Sequence, residues 1–175
     1  MTMNAFIEVS KLEAAERQLD QAVRLFFARE DEVSIHTLAA AAYQIIADIC
    51  KHRGIQREIE DSTALEEFGI KKEVIAAIRK PQNFFKHAEH DQTGTVRLNP
   101  MLSVCLIMSA VQYLLKLKAV QSSECQIFRY WFFLKLPHKV PDEIRTLLAS
   151  NRNPIGPEDY GFFQDAIMVH RTLKS

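Results

Sequence analysis

At 175 residues the chain is long enough to bury one ordinary core without help from disulfides or metals. It is 47% hydrophobic and 25% charged with only 5 Gly and 6 Pro, which excludes a disordered or collagen-like chain and favours helix because breakers are scarce. Lysine plus arginine equals aspartate plus glutamate at 22 each, so no global field draws the protein to nucleic acid or an anionic membrane, and any such partner must meet a local patch.

Met1 to Arg17 lacks the basic start and apolar stretch of a secretory signal, and Glu8, Glu13 and Glu16 argue against a transit peptide. Cys50, Cys105 and Cys125 form no CxxC pair, and the first two lie in apolar helical runs, where a thiol behaves as a small hydrophobe. A reducing, cytoplasmic setting is expected.

Ser10 and Glu13 read as a capping box for a first helix over 11–28, with Leu12, Ala15, Leu19, Ala22, Val23 and Phe26 on one stripe. After a short turn, Ile35, Leu38, Ala42, Ile45 and Ile49 mark a second helix over 33–53, closed by Lys51, His52, Arg53 and then Gly54. So short a connection makes these two antiparallel neighbours. The run Ala39 to Ala42 predicts a close helix crossing, because small side chains let backbones approach and lose little entropy on burial.

Thr63 and Glu66 read as a further capping box. A helix over 70–80 with Val74, Ile75 and Ile78 is expected to stop at Pro81, followed by a helical turn over 83–90, a turn at Asp91 to Gly94 and an extended piece over 95–98. Asn99 as cap and Pro100 in the first turn start the most apolar helix, to about residue 118. Its longest uncharged run, Asn99 to Leu115, would span roughly 25 Å as helix, short of a bilayer core of roughly 30 Å, so a buried core helix is expected and no membrane span.

Ser123 and Gln126 open an aromatic helix over 127–136 that ends at Pro137. Aromatics around its circumference predict burial on several sides; a core or dimer interface suits them better than a base-stacking platform, since only Arg129 and Lys135 interleave. A short helix over 141–149 and a last one over 158–173 complete the chain. The fold class is therefore all-α: an up-down four-helix-type bundle over 8–120, with 121–175 packed on it as a helical extension of a single domain.

The segment from Arg79 to Asp91 concentrates the reactive side chains. Between Lys71 and Arg97 six cations face three anions, a local +3 on a neutral protein. Arginine can hold phosphate oxygens bidentately, histidine can move a proton near neutral pH, and asparagine can orient either or donate to phosphate. Those are the parts that metal-independent RNA cleavage requires. Arg79, Asn83 and His87 are the catalytic candidates and Lys80 and Lys86 the phosphate-binding ones. A metal reading uses His87, His90 and Asp91, with His36 from the second helix, although HExxH and comparable patterns are absent. A purely structural reading has Phe84 and Phe85 plug the bundle, Asn83 cap a helix and His87 bond a carbonyl, with His36 a satisfied core histidine. No GxSxG elbow, phosphate loop or dinucleotide fingerprint occurs, so an enzyme assignment stays open.

An Arg, a polar residue and a His on a small helical bundle resemble the HEPN superfamily, here through Arg79, Asn83 and His87, with the bundle over 8–118 as architecture. The spacing is wider than the usual pattern: seven residues separate Arg79 from His87, and Asn83 does not follow Arg79 directly. The resemblance implies a dimeric bundle that is either an RNase, with its site where two subunits meet and no cofactor, or an inactive binding module. The phrases at 10–15, 34–42 and 83–88 (SKLEAA, SIHTLAAAA and NFFKHA) are also similar to an uncharacterised bacterial family, which implies no activity. The alternative function is a non-catalytic module that binds a partner protein.

Overall fold

The computed structural model describes residues 6–87, 89, 91–118, 120–136 and 155–172. Among them are seven helices and no strand: α1 (Lys11–Phe27), α2 (Glu32–His52), α3 (Thr63–Glu67), α4 (Lys71–Phe84), α5 (Pro100–Leu117), α6 (Ser123–Lys135) and α7 (Tyr160–Thr172). The helix expected over 141–149 lies outside the described residues, as do His138 and Pro137.

The helix ends follow backbone hydrogen-bond need. Ser10 caps α1 by accepting from Glu13 N at 3.2 Å, but the reciprocal half of the expected capping box is missing because the Glu13 carboxylate pairs with Arg17 one turn on. Asp31 caps α2 through Ser34 N at 2.8 Å, and Asn99 caps α5 through Met101 N at 3.1 Å with Pro100 behind it. Two caps sit one residue earlier than the sequence suggested. Ser62, not Thr63, accepts from Leu65 N, and Ser122, not Ser123, accepts from Cys125 N, so α6 begins four residues before Ile127.

α1 and α2 both close with the same motif, in which the second residue beyond the cap donates to a carbonyl one turn back: Glu30 N to Leu25 O and Ile55 N to Cys50 O. The motif needs one left-handed residue. At α2 it is Gly54 (φ 68), where a side chain would be strained, but at α1 it is Arg29 (φ 54), whose guanidinium lies 4.6 Å from the centre of the Tyr160 ring. A cation–π contact to α7 thus holds the turn of the α1–α2 hairpin in a conformation that most side chains avoid.

α2 is the centre of the bundle, packed against α1 on one side and α5 on the other, with α4 touching it more lightly. Two contact faces explain why its buried set differs from the expected single stripe. Ile35, Ala39, Ala42 and Ile46, together with His36, Ala40, Tyr43, Ala47 and Cys50, are buried, whereas Leu38, Ile45 and Ile49 stand at the rim. Four of the nine are alanine, which lets two helices approach the same turns. On α5 the facing set includes Leu106, Ile107, Ala110, Val111, Tyr113 and Leu114, while Cys105 is exposed. Both α2 and α5 are long and apolar enough to cross a membrane by length and composition, and half of each apolar window is buried inside this chain.

The C-terminal helices cover α1. Phe26 and Phe27 enter an aromatic cluster with Phe128 and Trp131 of α6 and Tyr160 and Phe163 of α7. Phe27 and Phe163 stack at 5.2 Å between centroids, and the Trp131 indole donates to Pro157 O at 2.8 Å. At the far end of α5, the loop after α2 is strapped down by Glu60, which accepts from the hydroxyls of Tyr43 at 2.7 Å and Tyr113 at 3.4 Å, while Lys116 reaches Glu58.

Phe27 is 1% exposed, so Phe27→Ala should cost about 3–5 kcal/mol, whereas Phe162→Ala on the 40% exposed neighbour of Phe163 should change stability by less than about 1 kcal/mol. Urea unfolding followed by the fluorescence of Trp131, the only tryptophan, measures both. Equal losses in the two variants would mean the cluster is not the core of the α1–α6–α7 contact.

Candidate functional site

α4 does not stop where proline was expected to stop it. Pro81 lies inside the helix, which continues to Phe84. Its ring lacks the N–H for one rung of the ladder, a loss usually costing about 3 kcal/mol in a helix interior. Here only one further turn follows, and Pro81 and Gln82 are both buried, so packing of the last turn offsets the missing bond. The helix then ends with Phe85 N bonded to Pro81 O, and with Lys86 N and His87 N both donating to Asn83 O. The expected helical turn over 83–90 is therefore the end of α4 itself; Ala88 and His90 lie outside the described residues.

This ending sorts the segment into two sets. Pro81, Gln82 and the half-buried Phe84 and Phe85 face the bundle, and Phe85 meets the His36 ring edge-on at 6.0 Å. Arg79, Lys80, Asn83, Lys86 and His87 are all exposed. Arg79 and Asn83 are four apart, on one side of the same helix, and Lys86 and His87 follow in the turn. Asn83 does not cap a following helix; its carbonyl closes α4 instead. Lys71 pairs with Glu66 at 3.1 Å, whereas no ion pair among the described residues engages Arg79, Lys80 or Lys86. A basic, hydrogen-bonding end of α4 is thus open to solvent on an apolar anchor.

Of the metal set, His90 lies outside the described residues. Among the described residues no three His, Cys, Asp or Glu side chains are grouped to hold an ion. His36 is fully buried on α2, with Nδ1 3.1 Å from the Ser103 hydroxyl of α5, while His87 is exposed at the end of α4. The Asp91 carboxylate folds back over its own turn, where a Cβ on Gly94 would collide with it.

His36 is more than the satisfied core histidine expected, because its Nε2 is buried with no hydrogen-bond partner. Desolvation pushes its pKa below the ordinary value of 6.5 and keeps the ring neutral. Sequence periodicity could not show this: His36 falls outside the apolar stripe of α2 and is buried only because α5 covers a second face. A similar blind spot hid Asp20 and Arg24, which fall outside the apolar stripe of α1. Arg24 instead pairs with Glu124 of α6 at 2.6 Å, and Ser122 donates to Asp20 at 2.6 Å. No protein-family model, curated protein or solved structure matches the chain.

Because the folded pKa of His36 is depressed, its contribution to stability is present above the unfolded value of 6.5 and is lost as pH falls from there through the folded value. The difference in unfolding free energy between wild type and His36→Gln should therefore widen from pH 5 to pH 7.5. Denaturant titrations at four or five pH values measure it, and a difference that stays constant would show that His36 titrates alike in both states.

Proposed function

We propose that the chain binds single-stranded RNA through the exposed end of α4 and, as a two-fold dimer, cleaves it without metal in the manner that the likeness to HEPN proteins implies. The carrying observation is the division of the segment: Pro81, Gln82 and Phe85 anchor it, while Arg79, Lys80, Asn83, Lys86 and His87 remain exposed, the three cations without ion-pair partners among the described residues. Anchored cations on a short rigid element suit a flexible phosphate backbone, because little further ordering is needed on binding.

In this reading Lys80, Lys86 and Arg79 hold phosphoryl oxygens and stabilise the charge that develops on them. One His87 takes the proton of the 2′-hydroxyl as its oxygen attacks phosphorus. The 5′-oxygen leaves with a proton from the His87 of the second subunit, giving a cyclic phosphate and a 5′-hydroxyl. A single subunit offers one such histidine, which is why the dimer is part of the proposal. Asn83, one turn from Arg79, orients the scissile phosphate.

A second reading, a non-catalytic module that binds a partner protein, draws on the exposed apolar side chains Phe162, Met168 and Val169 of α7. The two separate experimentally. With labelled single-stranded RNA in chelator, wild type should cleave, and His87→Ala should lose about 100-fold or more in rate while retaining affinity. Lys80→Glu with Lys86→Glu should weaken binding and flatten its salt dependence by about 0.7 in the log–log slope per lost phosphate contact. A monomer that shows no RNA affinity at low salt would sink the first reading, and a His87→Ala variant that loses only thermal stability would favour the second.

A further inference from the structure

The enclosure of His36 suits one charge state of its ring and not the other. The residue is 0% exposed, Nδ1 lies 3.1 Å from the Ser103 hydroxyl, and Nε2 meets no hydrogen-bond partner. A neutral ring leaves one nitrogen unsatisfied there, which packing around it offsets. A protonated ring must donate from both nitrogens and carries a charge into the core, and the Ser103 hydroxyl accepts only one of the two protons. No described charge relieves it. α5 turns Ser103 to the ring and α4 turns Phe85, edge-on at 6.0 Å, while Glu32 one turn earlier on α2 and Lys86 and His87 beyond Phe85 are exposed. Burial is the whole cause of the depressed pKa of the ring.

Of the helices around His36, one is loosely held. α2 packs closely on α1 and α5 and only lightly on α4. Two residues of α4, Pro81 and Gln82, are buried, and Phe85 beyond its end is half-buried. Pro81 also removes one rung of the helix ladder just before the last turn, so the turn that leads to Phe85 is joined to the rest of α4 by one backbone bond fewer. We propose that His36 is an acid-sensitive latch for the end of α4: protonation of the ring drives this last turn off the bundle, water reaches Nε2, and the segment carrying Lys86 and His87 loses its anchor. The consequence for RNA rests on the reading given above, in which Arg79, Lys80, Asn83, Lys86 and His87 form the site.

The direction of the pH effect follows from linkage. With the turn closed the ring stays neutral, and with the turn open it titrates at its ordinary value of 6.5. Above 6.5 the open population is therefore constant. Below it, each pH unit favours the open turn by about tenfold until the closed form itself takes up a proton. Between pH 7.5 and pH 5.5 the open population should rise about tenfold in all.

Backbone hydrogen exchange of the full chain reads the opening when each rate is divided by the intrinsic rate at the same pH. From pH 7.5 to pH 5.5, protection of the amides from Gln82 to Phe85 should fall about tenfold, while those from Ile107 to Leu114 in α5 keep theirs. His36→Gln should hold the α4 protection constant with pH. Phe85→Ala, which removes a half-buried side chain, should lower it about threefold or more already at pH 7.5. Protection at the end of α4 that ignores pH in the wild type, or that falls only together with α5, would overturn the latch, as would a His36 ring that titrates at 6.5 by NMR with the turn still protected. Opening that follows pH in a chain without affinity for single-stranded RNA would support the latch and sink only the RNA reading.

Discussion

Close approach of α2 to two helices at once is the constraint on which the fold depends. A helix with a single apolar stripe can bury one face; α2 buries two because Ala39, Ala40, Ala42 and Ala47 keep its surface low where α1 and α5 cross it. The facing helices supply alanines of their own, Ala15 and Ala22 on α1 and Ala110 on α5, all without measurable exposure. Bulkier residues then fill the spaces between crossings, with Leu19, Ile35, Ile46, Leu106 and Ile107 fully buried. Such a seam tolerates little enlargement, since an added methylene in a closely packed interior forces backbone shifts.

That arrangement has a polar consequence. A helix covered on two sides must bury whatever side chain lies between its apolar rows, and in the second turn of α2 that residue is His36, bonded to Ser103 on one nitrogen only. Phe85 closes over it from α4. The same contact that leaves a histidine half satisfied in the core thus fixes the end of α4, and with it the direction in which Arg79, Lys80, Asn83, Lys86 and His87 leave the bundle. The exposed basic end and the buried histidine are two sides of one packing decision.

On the opposite flank, α1 is covered by α6 and α7 through rings and through ion pairs. The aromatic cluster around Phe26, Phe27 and Trp131 supplies the apolar part, and Arg29 over Tyr160 ties the hairpin turn to the last helix. Next to it, Arg24 pairs with Glu124 and Lys118 with Glu16, and Ser122 donates to the Asp20 carboxylate at 2.6 Å. Rings and ion pairs together therefore hold α6 against α1.

Much of the secondary structure was decided locally, and the sequence was enough to read it. The capping serine at position 10, Asn99 with Pro100, and Gly54 at φ 68 act through hydrogen bonds within a few residues, so helices α1, α2 and α5 could be bounded to within a residue or two. The all-α class followed from the same periodicity. Other features depend on neighbours distant in sequence. Pro81 lies within a helix whose last turn is anchored by the buried Gln82 and the half-buried Phe84; the stripe on α2 is displaced because α5 claims a second face; and Asp20 and Arg24, outside the apolar stripe of α1, are covered because α6 comes to lie on them 100 residues later in the chain. The exposure of Arg79, Lys80, Asn83, Lys86 and His87 was open in the sequence, where Asn83 suited a helix cap and His87 a carbonyl partner as well as a site. Burial and pairing are sums over contacts made across the chain, and no local pattern of residues contains them.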